Sequence, residues 1–169
     1  MELLVYLILL VFLSLLGFYF GRAFIMGAPY APTDKKAIRT MIGLLQIRKG
    51  ERACDIGAGD GRIVMALAQA GANAIGYERN PLLVLAGGIW IQKKGLGATA
   101  KLQHKNLWKA DYRPFTAVTL FGIPYIMDRL EKKLLAELPH GARVASNAFP
   151  FPNWKPVTKQ DGVYLYIKE

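Results

Sequence analysis

Asp55-Ile56-Gly57-Ala58-Gly59-Asp60-Gly61 sets three glycines at alternate positions, with carboxylates at Asp55 and Asp60. Glycines so placed let the backbone turn sharply and lie flat against a ligand, where any side chain would intervene. The pattern differs from the dinucleotide fingerprint G-x-G-x-x-G and from the phosphate loop that ends in Gly-Lys-Ser/Thr. Acids at Asp55 and Asp60 would repel a pyrophosphate, and they suit a ligand with a cationic centre and an ammonium group. S-adenosylmethionine (SAM) offers both. A strand-to-helix turn with no ligand would use the same glycines, and Glu78 weighs against it. This acid closes a strand-like segment, 72–78, one βαβ unit after the glycine loop. A carboxylate in that place accepts from both hydroxyls of a ribose. A solvated strand-end glutamate is the alternative.

The elements that must position these residues form two parts. Leu3 to Gly21 carries no charge and is rich in Leu, Val, Ile, Phe and Tyr. At about 1.5 Å per residue such a helix just spans a bilayer core of roughly 30 Å. A cleaved signal peptide would need a basic leader and a small-residue cleavage site, and the only leader charge is Glu2. The expected organisation is a transmembrane anchor over 1–22, a short linker over 23–33 and one domain over 34–169. Arg22, Lys35, Lys36 and Arg39 follow the span, so the domain is expected on the cytoplasmic face of a bacterial or archaeal cell membrane. A mitochondrial membrane is less favoured, because the leader lacks Arg-rich amphipathic character. The single cysteine, Cys54, cannot form an internal disulfide, in keeping with a reducing compartment. Net charge is +10. Its cations are scattered, which fits attraction to anionic lipid headgroups better than a nucleic-acid groove, so no nucleic-acid partner is expected.

Thr33 is expected to cap a helix from Asp34 to about Ile47. A strand, the glycine loop and a helix to Ala70 follow, then strand two, and a nearly all-apolar helix from Pro81 to Lys94 opened by Asn80. Further strands are expected near 100–103, 117–121 and 142–146, with an amphipathic helix over 126–138. A final hairpin turns at Asp161-Gly162. Alternating strands and helices closed by a hairpin make a doubly wound α/β sheet of seven strands, the architecture of class I methyltransferases. A ligand would sit at the C-terminal ends of strands one, two and four. His104 and His140 fall too far apart to form a site, and no metal site is expected.

Beyond this general class, the chain resembles the membrane-anchored lysine methyltransferases that modify the ATP synthase c subunit and the adenine nucleotide translocase, together with their prokaryotic relatives. The matching pieces are Pro29-Tyr30-Ala31-Pro32-Thr33, the 55–64 and 76–81 segments, Asn106-Leu107-Trp108-Lys109, Leu130-Glu131-Lys132-Lys133-Leu134, and 141–156 with its Phe149-Pro150-Phe151-Pro152-Asn153-Trp154. The resemblance implies that Asp55, Gly57, Gly59 and Gly61 line SAM, that Glu78 meets its ribose, and that Tyr30 and Thr33 close over its methionine end, near Asp60. It also implies Asn106, beside Leu107, at the adenine. The family usually has Asp at that position, and Asn can still accept through its carbonyl oxygen.

After strand four many amine methyltransferases carry Asn/Asp-Pro-Pro-Tyr, where this chain has Gly122-Ile123-Pro124-Tyr125. That disfavours nucleobase or amide acceptors, whose planar nitrogen is held by hydrogen bonds. A lysine amine needs an apolar channel that favours its neutral, nucleophilic form. Tyr125, Phe149, Phe151 and Trp154 can supply its walls, with cation–π contact on arrival; packing of the sheet edge is the alternative for each. The expected function is a membrane-tethered SAM-dependent protein-lysine N-methyltransferase acting on a membrane-associated protein, the ATP synthase c subunit being the implied acceptor. A SAM-dependent methyltransferase acting on a lipid or quinone, and a non-catalytic SAM-binding scaffold, are the competing readings. Nothing in the sequence assigns an oligomeric state.

Overall fold

The computed structural model describes residues 2–26 and 32–169, with side chains of the first helix described only at 4–15 and 17. The chain divides into two compact units, 1–31 and 32–169. In the first, helix α1 (Glu2–Met26) exposes Leu, Val, Ile and Phe side chains all round from Leu4 to Leu15. Among the described residues no helix is long and apolar enough to cross a membrane. The expected transmembrane anchor over 1–22 is not supported among these residues, and part of it lies outside the described side chains.

The second unit is a seven-stranded sheet in the order β3-β2-β1-β4-β5-β7-β6. Its strands are β1 (Arg52–Ile56), β2 (Asn73–Glu78), β3 (Ala100–His104), β4 (Ala117–Leu120), β5 (Arg143–Asn147), β6 (Thr158–Gln160) and β7 (Val163–Ile167). The first five run parallel, and β7 and β6 close the edge antiparallel. The helices are α2 (Lys35–Leu45), α3 (Arg62–Gln69), α4 (Pro81–Lys93) and α5 (Pro124–Glu137). Strand order reverses between β1 and β4, and this opens a crevice at their C-terminal ends.

Alternation along β1 divides the core. Ala53 joins the face covered by α2, α3 and α4, whereas Cys54 and Ile56 join the face covered by α5 and the 107–115 segment. Gly76 on β2 lies beside Asp55, and a Cβ there would stand 2.5 Å from Val64 Cγ2 and 2.6 Å from Ala58. Its missing side chain lets α3 and the glycine loop settle onto the sheet.

Several expected boundaries move. Asp34, and not Thr33, caps α2, because its Oδ1 accepts from Lys36 N at 2.7 Å and Ala37 N at 2.9 Å. Helix α5 starts at Pro124, where proline's fixed φ suits a first helical position. An unexpected 3₁₀ turn, Leu107–Lys109, is capped by Asn106. The hairpin turns at Asp161 and Gly162, both with positive φ, as expected.

Candidate functional site

The glycine loop is hung from the end of β2. Gly57 N and Ala58 N both donate to the Tyr77 carbonyl, at 2.9 and 3.0 Å, and Gly61 N donates to Ala58 O at 2.9 Å. Gly57, Gly59 and Gly61 have φ of 76°, 53° and 82°, a left-handed backbone that only glycine adopts without strain. A Cβ on Gly57 would meet no atom within 4 Å, so that face of the loop is open for a ligand to lie against. Glu78 ties the loop to the next helix. Its Oε2 accepts from Gly59 N at 2.9 Å and its Oε1 from Asn80 N at 2.7 Å, while Asn80 Oδ1 caps α4 by accepting from Leu82 N at 3.0 Å. Each Glu78 oxygen has a further lone pair for a ligand hydroxyl.

Asp55 lies beneath the loop, 2% exposed. Thr119 Oγ1, on β4, donates to its Oδ1 at 2.7 Å. Burial pushes the Asp55 carboxyl up to about 7; the Thr119 bond opposes this, and the nearby charges of Glu78 and Asp60 add to it. Three acids so close together favour a cation among them. Asp60 is engaged differently. Arg62 holds it through Nε, at 3.0 and 3.1 Å, and Nη2, at 2.7 Å, and Arg62 N donates to the same carboxylate at 3.2 Å. Arg62 Nη1 also donates to the carbonyl of buried Thr33 at 3.2 Å, so one guanidinium joins the loop to the segment entering α2. Tyr30 lies outside the described residues.

Asn106 and Leu107 stand just past the end of β3, one strand beyond Glu78. Asn106 Oδ1 accepts from Trp108 N at 3.0 Å. Oδ1 keeps a second lone pair for a ligand donor, and the amide nitrogen is a donor where a carboxylate would have offered a second acceptor oxygen.

The four aromatics expected to wall an acceptor channel fall into separate places. Phe149 stacks on Phe121 with ring centroids 6.2 Å apart, beyond the C-terminal ends of β5 and β4. Ser146 Oγ donates to the Phe149 carbonyl at 2.6 Å and fixes that turn. Tyr125, at the start of α5, is 69% exposed. Phe151 is buried, stacks on Trp154 at 5.5 Å and meets Tyr166 of β7 at 4.9 Å. Phe151 N donates to Tyr166 Oη at 3.0 Å, and buried Glu131 accepts from Asn153 N at 2.9 Å. Phe151 and Trp154 thus pack the sheet edge, while Tyr125 and the Phe121–Phe149 pair lie at the crevice end of the strands.

His104, at the end of β3, and His140, in the turn before β5, are at opposite ends of the sheet. Among the described residues no group of three or more His, Cys, Asp or Glu is arranged to hold a metal. A cavity of about 550 Å³ opens at the other end of the sheet from the glycine loop, between Arg48, Glu51, Thr116 and Arg143. There Glu51 is satisfied by Arg143, Thr116 and Arg48 N, so the cluster joins strand starts. The sequence pattern assigns no role to Thr119, Arg62 or Glu131, although the last two fall in the segments that carry the resemblance. A lone threonine in the apolar run Ala117-Val118-Thr119-Leu120 was the available signal for the first.

The ANTKMT methyltransferase domain model matches residues 55–158. The lysine N-methyltransferase of the ATP synthase c subunit from Rattus norvegicus is 43% identical over 128 residues, 76% of this chain and 59% of that protein. A protein-lysine N-methyltransferase of Saccharolobus islandicus is 30% identical over 155 residues, 86% of this chain and 96% of that protein. A solved structure of an RNA methyltransferase from Salinibacter ruber, in complex with S-adenosyl-L-homocysteine, has a TM-score of 0.77 at 30% identity, covering 82% of this chain and 95% of that one. The chain spans only 59% and 51% of the length of the rat and mouse ATP synthase methyltransferases.

Proposed function

The chain belongs to the ANTKMT methyltransferase family, and from that membership we propose that it is a SAM-dependent protein-lysine N-methyltransferase. Its fold is the Rossmann-like seven-stranded sheet of class I methyltransferases. The observation that carries the proposal is the glycine loop: three left-handed glycines with an open face, over buried Asp55 and beside Glu78. These residues fit SAM, because the acids match its positive charges and the bare loop admits close approach.

When bound, SAM supplies the methyl group that is transferred. In this reading Glu78 accepts from the ribose hydroxyls, and Asp55 holds negative charge beneath the loop. Asn106 and Leu107 border the adenine, and Thr33 borders the methionine end beside Asp60. Tyr125, Phe121 and Phe149 exclude water from an incoming lysine and favour its free amine, the form that attacks. Positioning then supplies most of the acceleration.

The acceptor we propose is a lysine of a membrane-associated protein, and the names of the rat and mouse relatives support the c subunit of ATP synthase. The name of the Salinibacter structure offers a second reading, methylation of RNA. Tritiated SAM, incubated with the purified chain and either detergent-solubilised membranes or total RNA, separates the two. Label on a lysine of a small membrane protein, lost in Glu78→Ala, supports the first. Label in RNA alone would replace it, and label in the lipid fraction would point to a lipid acceptor.

A further inference from the structure

Helix α4 is apolar nearly all round, yet among the described residues only one side of it is covered. Leu83, Val84, Gly87 and Ile91 are the more buried positions of the helix, with Gly87 so close to the glycine loop that a Cβ would stand 2.5 Å from Asp60 O. The opposite side presents Leu82, Leu85, Ile89 and Trp90, with Leu82 73% and Trp90 53% exposed. Those positions recur at helical spacing and form one stripe. Within 32–169 the other large apolar side chains so exposed are Tyr125, Val157 and Ile167, which are isolated from one another in sequence. Leaving four in a row in water is unfavourable by about 25 cal/mol per Å², so a contiguous stripe marks a contact surface.

The charge around the stripe says what it contacts. From Arg79 to Ala110 the chain has six basic residues and no acid. Exposed Arg79 stands before the helix, and exposed Lys93 and Lys94 at its end. A protein partner is commonly met with charges of both signs at the rim. An apolar face flanked along the chain by cations without acids, and carrying a tryptophan, suits the headgroup boundary of an anionic bilayer.

We propose that α4 is an interfacial helix that lays Leu82, Leu85, Ile89 and Trp90 into an anionic lipid surface, with the crevice beside it held at that surface. The proposal stands apart from the methyltransferase reading and from α1. The test uses the full chain with vesicles of phosphatidylcholine and phosphatidylglycerol bearing brominated acyl chains, which quench tryptophan only at bilayer depth. The contribution of Trp90 is the difference between the unaltered chain and Trp90→Phe.

Trp90 should be quenched on anionic vesicles, at least about threefold more than on phosphatidylcholine alone, where the basic rim has no partner. The pair Leu85→Glu and Ile89→Glu should abolish that quenching while far-UV circular dichroism and SAM binding stay unchanged. Vesicle binding with Trp90 unquenched, or no binding at all, overturns the proposal. So does an unquenched Trp90 combined with loss, in the paired variant, of transfer to a detergent-solubilised protein acceptor without vesicles, because that result assigns the stripe to a protein.

Discussion

Thr119 Oγ1 donates to Asp55 Oδ1 at 2.7 Å, from β4 to its paired position on β1 at the point where strand order reverses. The bond favours the carboxylate against burial, which holds the group near 7. Thr119→Val keeps the shape and removes the donor. SAM affinity at pH 7 should fall about three- to tenfold, as expected when one hydrogen bond to a charged group is lost. Isothermal titration at pH 7 and pH 8.5 would check it, with the larger loss at the lower pH.

Asp55 also sets a pH dependence with a definite sign. Its carboxyl titrates higher in the folded chain than in the unfolded one, so ionising it opposes folding. Its protonated form contributes fully below about pH 4, and the contribution is lost as pH rises through about 7. A cationic ligand prefers the carboxylate, so SAM affinity should instead rise with pH between about 6 and 8 and release a proton on binding. Asp55→Asn should flatten both curves. A SAM affinity independent of pH in the unaltered chain would contradict the assignment.

Glu78 serves two backbone donors at once, Gly59 N and Asn80 N. Glu78→Gln keeps the volume but turns one acceptor into a donor facing an amide. We expect SAM binding to weaken about 10- to 100-fold, since an unsatisfied charged or polar partner costs about 1–3 kcal/mol. Titration of SAM, with thermal unfolding as a control on folding, separates the two effects.

Two glycines should respond to alanine for different reasons. Helix propensity alone would make Gly87→Ala stabilising by about 1 kcal/mol. Its Cβ, however, would stand 2.4 Å from Leu102 Cδ1 and 2.5 Å from Asp60 O. Overpacking against backbone should win and destabilise the domain by about 1–3 kcal/mol, read as a lowered Tm. Gly57→Ala meets open space and carries only the strain of its φ of 76°, about 1–2 kcal/mol. Its main loss should be SAM affinity.

The aromatics should divide by burial. Phe151→Ala removes a ring packed between Trp154 and Tyr166 and should destabilise by about 3–5 kcal/mol. Tyr125→Ala removes an exposed ring, so stability should hold while kcat/KM for a protein acceptor falls. Equal loss of Tm in both variants would remove Tyr125 from the acceptor side.

Local signals suffice for much of the site. The alternate glycines of the 57–61 loop permit the left-handed backbone it adopts, Asn80-Pro81 opens a helix by its own chemistry, and Asp161-Gly162 turns a hairpin. What local pattern leaves out depends on partners distant in the chain. Thr119 matters because β4 lies beside β1, an adjacency that strand order sets. Phe151 and Trp154 read like channel walls until β7 brings Tyr166 beneath them. The cap of α2 moves from Thr33 to Asp34 because both are good caps by type, and Thr33 is buried with its carbonyl held by Arg62.

The apolar side of α2, among the earliest parts of the domain to be synthesised, packs on β5 and β7, among the last. Asp161, in the final hairpin, accepts from Thr40 Oγ1 at 3.1 Å and pairs with Lys36 at 2.7 Å. A ribosome-bound chain that has emerged as far as β5 therefore holds the whole glycine loop, but α2 still waits for its last partner. Contacts this distant in sequence form late. Stalled nascent chains should thus stay open to protease near residue 34 until the C-terminal hairpin is released, and a truncation of the last strand should expose the beginning of the domain as well as its end.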